Sequence, residues 1–204
     1  MVDLRYKEEQ GIPITACSDN LAFATMRVME ILRSILLYTR SNAMDCVVIG
    51  GHAINAYGLD RHTGDLDLVA PLSQREKWLG FMTDLRYVIG QNSEYFARFR
   101  PDSIAAWPID LMFVDDDTFN KIKASASEFE FGTVKAPVAS VVHLIALKLH
   151  ALKQSQEHRS AKDFSDLLFL VGRSGLGEQE LEALCATHGN RALWERLKLV
   201  LKHD

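Results

Sequence analysis

At 204 residues, with 48% hydrophobic and 25% charged side chains, the chain can bury a sizeable core and lacks the composition of a disordered or fibrous protein. The formal net charge of −4 excludes a globally basic nucleic-acid binder but leaves room for a local basic groove. Cys17, Cys46 and Cys185 are odd in number, widely spaced and without a Cys-x-x-Cys pair, which points to reduced thiols rather than a disulfide framework.

Met1 to Gln10 is polar and charged, without the apolar segment of a signal peptide. Residues Met1 to Thr15 are expected to form an irregular arm, broken by Gly11 and Pro13. A helix follows from Ser18 or Asp19 to about Arg40, with Leu32, Ile35 and Leu36 on its apolar stripe. Arg27, Glu30 and Arg33 interrupt that stripe, so it is not a membrane span. Cytoplasmic location without a membrane partner is the expectation.

Asp45 to Ile49 reads as a first strand, ending at Gly50-Gly51. His52 to Tyr57 reads as a short helix, and backbone amides at the glycines would make a phosphate cradle. A second strand then carries Asp65 and Asp67. At spacing two they share one strand face, while Leu66 and Leu68 point to the core. Two adjacent carboxylates call for compensating cations, and oxygen-preferring divalent metals are the usual ones. The run Pro108 to Val114 is strand-like and apolar but for Asp110, a costly placement unless that acid is paired or metal-bound. Arg61 and Thr63 precede the second strand; Arg61 suits either a phosphate contact or a solvated loop.

Ser73 would cap a helix over 74–85, with Trp78, Leu79 and Met82 buried, and residues 90–93 would turn. Strands are expected over 95–100, 104–114 and 128–135, and the Asp115-Asp116-Asp117 run reads as a helix cap. Pro137 stands where a helix could start, and the pattern is helical from there on. Val138, Val141, Val142, Ile145, Leu149 and Leu152 are expected to form a buried stripe. The division that follows is a core with an N-terminal helix over 1–136 and a helical subdomain over 137–204. Lys148 lies in an apolar run, where its charge must snorkel or meet an anion. Lys148, His150, Lys153, His158, Arg159 and Lys162, with Asp163 and Asp166, suit either an exposed salt-bridged helix pair or an electropositive wall over a triphosphate.

Gly50-Gly51-His-Ala-x-x-x-Tyr-Gly, Arg61-x-Thr63-x-Asp65-Leu-Asp67-Leu, Ile109-Asp110-Leu-Met-Phe, Lys148-Leu-x-Ala and Arg159-x-x-Lys162-Asp163-x-x-Asp166-Leu together resemble the AbiEii-like family of the DNA polymerase β-like nucleotidyltransferase superfamily. The resemblance spans about Val47 to Val171. It implies an α+β, mixed-sheet nucleotidyltransferase fold with flanking helices and a C-terminal helical subdomain. It implies transfer of a nucleoside monophosphate from an NTP, with a tRNA 3′ end as acceptor and a cognate antitoxin as partner in toxin-type members. Asp65, Asp67 and Asp110 would be the catalytic, metal-binding carboxylates for Mg²⁺ or Mn²⁺. Gly50, Gly51, Arg61, Thr63, Lys148 and Asp163 would bind the nucleotide. An antibiotic-type transferase for a small molecule would use the same triad but need an aromatic or acidic acceptor pocket, which Tyr95, Phe99 and Trp107 could provide. A non-catalytic nucleotide-binding module is the third alternative.

Overall fold

The computed structural model describes residues 30–102, 107–154 and 157–202, the side chains of 157–160 excepted. Helix α1 occupies residues 30–41 and buries Leu32, Ile35 and Leu36; the expected arm and helix start lie outside the described residues, as does Cys17. Strand β1 (Val47–Val48) leads into α2 (Gly50–Ala56), and β2 (Leu66–Pro71) follows the intervening loop. A short 3₁₀ turn (Leu72–Gln74) enters α3 (Arg75–Asp84). Then come β3 (Tyr87–Asn92), β4 (Phe96–Pro101), β5 (Ile109–Val114) and α4 (Asp116–Ala124). The hairpin β6 (Ser127–Phe131) and β7 (Val134–Val138) precedes α5 (Val141–Gln154), α6 (Glu157–Ser174), α7 (Glu178–His188) and α8 (Arg191–Leu201).

The strands form one mixed seven-stranded sheet in the order β3-β4-β5-β2-β1-β7-β6. β2 runs parallel to β5 and β1 parallel to β7; β1–β2, β3–β4, β4–β5 and β6–β7 are antiparallel. The central strands are apolar because they are covered: Val47, Val48, Leu66, Leu68, Ile109 and Leu111 are all fully buried. Trp78 of α3 and Phe119 of α4 join them in one core, each such side chain contributing about 1.5–3 kcal/mol by leaving water. Among the described residues no helix is long and apolar enough to cross a membrane.

Several local expectations are corrected. The turn expected over 90–93 starts only at Ser93: residues 90–92 are strand, and Gly90 sits at a register shift within the β3–β4 pair, where a strand glycine marks a bulge. Residues 128–135 are not one strand but two, reversing at Gly132 with φ +62°. Pro137 belongs to β7, and its helix starts four residues later; a proline at a strand position with no ladder N–H to give is tolerated there. Ser73 does not cap α3, whose N-cap residue is Gln74. On α5 the buried residues are Leu144, Ile145, Leu149 and Leu152, whereas Val142 is exposed. Asp115 does cap α4, accepting from the Thr118 amide at 2.9 Å.

Candidate active site

The parallel pairing of β2 with β5 sets Asp67 directly beside Asp110, and the antiparallel pairing of β5 with β4 sets Asp110 beside Arg98. One row of side chains therefore crosses three strands on one face: carboxylate, carboxylate, guanidinium. Asp65, at the entrance to β2, shares the face of Asp67 by strand alternation. Asp65, Asp67 and Asp110 each offer an oxygen within 4.8 Å of the others, a spacing and donor set suited to a hard divalent cation. Thr63, itself buried, donates its hydroxyl to Asp65 Oδ1 at 3.3 Å.

The two glycines are demanded by this crowding. Gly50 has φ +61°, and a Cβ there would lie 1.9 Å from Asp67 Oδ2. A Cβ on Gly51 would lie 2.3 Å from the Thr63 hydroxyl oxygen and 3.2 Å from an Arg61 nitrogen. The Gly51 amide donates to Asp67 Oδ2 at 3.4 Å. The backbone is thus bare where it approaches the acids.

The cations, Arg61 on the loop before β2 and Lys148 on α5, are fastened from behind. Asp166 on α6 is 1% exposed and binds both Arg61, through Nη2 at 3.0 Å and Nε at 2.9 Å, and Lys148, through Nζ at 2.7 Å. Asp163, one turn earlier, takes the same Lys148 Nζ at 2.7 Å. Lys148 thereby meets anions within its apolar run instead of snorkelling to bulk water. Asp166 was absent from the expected site residues, although the Lys-Asp-x-x-Asp pattern contains it; only the fold reveals which of the two acids is buried. His150 and Lys153 are exposed on α5 and do not line the site, and the side chains of His158 and Arg159 lie outside the described residues.

All the residues expected to bind metal or nucleotide line one cavity of about 310 Å³. Its apolar walls are Leu144, Leu147 and Ala151 of α5 on one side and Phe96 and Met112 on the other. The aromatic pocket expected of Tyr95, Phe99 and Trp107 is not formed around it. Strand alternation turns Phe96 and Arg98 to the cavity and buries Phe99 completely in the core; neither Tyr95 nor Trp107 lines the cavity. Arg98 was missed by the sequence reading. Its Nε donates to Asp110 Oδ1 at 2.8 Å and its Nη2 to Oδ2. A lone arginine in an alternating strand gives no signal of a partner until strand register is known.

Burial, and then the neighbouring Asp65 and Asp110 carboxylates, push the Asp67 carboxyl up to about 7 from an ordinary 3.8, against the lowering effects of the Gly51 amide and Lys148. A bound cation would offset both the burial and the repulsion that raise this group. Burial pushes His52 down to about 4, so it is neutral near pH 7; its Nε2 has no hydrogen-bond partner among the described residues, and its ring centroid lies 5.5 Å from that of Trp107.

A stability test follows from Asp67. Its native pKa lies above its unfolded value, so this group stabilises the fold below about pH 4, and that contribution is lost as pH rises through about 7. In chelator, wild type is expected to lose stability relative to Asp67→Asn by on the order of 1 kcal/mol per pH unit over that window. Denaturant melts of both proteins from pH 4 to 8 check it, and Mg²⁺ should flatten the difference.

No protein-family model matches the chain, and no curated protein matches it. Solved structures do. The antibiotic-resistance factor ANT(2″)-Ia superposes with a TM-score of 0.60 at 16% identity, over 86% of this chain and 97% of that one. A nucleotidyltransferase-like protein from Paracoccidioides brasiliensis gives 0.54 at 16% identity, over 78% and 86%. The lincosamide antibiotic adenylyltransferase LnuA, with lincomycin bound, gives 0.51 at 17% identity, over 69% and 94%. The α+β nucleotidyltransferase fold is therefore the fold of this chain.

Proposed function

We propose that this chain is a metal-dependent nucleotidyltransferase, moving a nucleoside monophosphate from an NTP to an acceptor hydroxyl with release of pyrophosphate. The observation that carries the reading is the carboxylate triad, brought together by β2–β5 register beside two glycines with no room for a Cβ. Asp65, Asp67 and Asp110 would hold Mg²⁺ or Mn²⁺, which when bound supply positive charge to the attacking hydroxyl and the leaving pyrophosphate. Gly50 and Gly51 would offer the triphosphate a backbone bare of side chains. Lys148 and Arg61 would meet its charge, held in place by Asp163 and Asp166 so that little reorganisation is required.

The resemblance to AbiEii-like proteins extends the proposal to a tRNA 3′ end as acceptor and to a cognate antitoxin as partner. Incubation with each α-labelled NTP and total RNA tests it; label in RNA is the expected result, falling steeply with added salt as phosphate contacts are screened. Label that never enters RNA at any salt concentration would remove this acceptor.

Lys148→Ala is expected to weaken NTP binding about 10- to 100-fold, the worth of a charge-assisted contact. It also strips the buried Asp166 of one of its two cations, so a fall in melting temperature should accompany it. Calorimetric titration with a non-hydrolysable NTP and a thermal melt separate the two effects. Unchanged affinity would leave Lys148 a structural cation only.

A further inference from the structure

The row across the sheet has two flanks. On the β2 side of Asp110 stand Asp67, the glycines and the Arg61–Lys148 wall. On the β4 side stands Arg98. If the triphosphate lies over the glycines, the acceptor comes in over β4. Phe96 and Met112, paired in register two residues along from Arg98 and Asp110, make its apolar floor, with the Arg98 guanidinium 5.8 Å from the Phe96 ring centroid.

Charge then decides what this flank can take. Among the described residues, the acids lining the cavity are Asp65, Asp67, Asp110 and Asp163. Three form the metal triad, and Asp163 is bound to Lys148 at 2.7 Å. Among the described residues, no carboxylate in the lining is left to receive an ammonium group. The Arg98 side chain, fixed by a fork onto Asp110, is still 29% exposed and turned into the cavity. An amine-rich acceptor would meet an arginine here, whereas an anion would meet a preoriented guanidinium.

We propose that Arg98 is a specificity-determining residue and that the acceptor carries an anionic group, phosphate or carboxylate, beside its attacking hydroxyl. This rests on the nucleotidyl-transfer reading above. The hydroxyl oxygen bonds to the α-phosphorus, its proton passes to solvent, and the bond from that phosphorus to the bridging oxygen breaks, pyrophosphate leaving with the electron pair. Arg98 takes no part in these bond changes; it selects the molecule that supplies the hydroxyl.

The test begins with calorimetry of wild type with Mg²⁺ and a non-hydrolysable NTP, before any acceptor is added. Failure to bind there would sink the nucleotidyl-transfer reading itself, and the acceptor proposal with it. With binding in hand, an α-labelled NTP is offered with total RNA, with a mixture of sugar phosphates and hydroxy acids, or with the polyamine tobramycin. Label is expected in one of the two anionic arms, which tells a nucleic-acid source from a small-molecule one, and not in tobramycin. Arg98→Gln should raise the KM for the labelled acceptor about tenfold or more with NTP affinity within about twofold, and Arg98→Lys should recover much of the loss. Because Arg98 also steadies Asp110, a fall in kcat alone would mark a positioning role and contradict the proposal. Label in tobramycin, label in neither anionic arm, or an acceptor KM unmoved in Arg98→Gln would each overturn it.

Discussion

Asp67→Asn is expected to abolish nucleotidyl transfer, lowering turnover by at least about a thousandfold, while the protein stays folded and, without metal, becomes more stable at neutral pH. Asp67 sits at the centre of the triad, with Asp65 two residues away on the same strand face and Asp110 directly beside it in register. An amide keeps the shape but loses the charge and one metal-binding oxygen. The same change relieves the repulsion and desolvation that lift the Asp67 carboxyl to about 7. Loss of activity with a gain in apo stability is a pairing that mere damage to the fold would not produce. Turnover assays with Mg²⁺, beside melts in chelator, read both halves. Activity close to wild type would refute the three-carboxylate site.

Gly50→Ala is expected to be nearly as severe through an entirely different cause. The residue has φ +61°, and its new methyl would sit 1.9 Å from an Asp67 oxygen, so the turn must shift or Asp67 must leave its place. A stability loss of about 1–3 kcal/mol and a loss of NTP affinity of about a hundredfold are expected. Gly80→Ala supplies the contrast: it lies inside α3, a Cβ there meets nothing within 4 Å, and the change should stabilise by about 0.5–1 kcal/mol. Thermal melts and calorimetry of the two variants compare the same chemical change in crowded and open surroundings. Equal behaviour would show that the cradle is not built on the missing Cβ.

The parts of the site carried by local pattern were legible in the sequence. Asp65 and Asp67 share a face because strand periodicity says so, and Asp110 stood out as one acid in an apolar run. Gly50-Gly51 announced a backbone that needs freedom, and the structure finds its reason in two side chains, Asp67 and Thr63, that lie distant in sequence. What stayed hidden depends on pairing. Arg98 acquires meaning only from the β4–β5 register, and Asp166 only from burial between Arg61 and Lys148. Pro137 misled because a proline suits a first helical turn as well as a strand position that needs no donor, and one residue cannot separate the two. Val142 shows the limit of periodicity, since the stripe on α5 is rotated toward Leu144 by the helices that pack on it.

On the proposed function, the triad and the glycine turn would together hold a metal–triphosphate complex. Calorimetric titration of a non-hydrolysable NTP into wild type and Asp67→Asn, with Mg²⁺ and again with chelator, tests it most directly. Saturable binding of one nucleotide per chain to wild type, present with Mg²⁺ and lost both in chelator and in Asp67→Asn, is the expected result. Binding of equal strength in all four titrations, or in none of them, would contradict it.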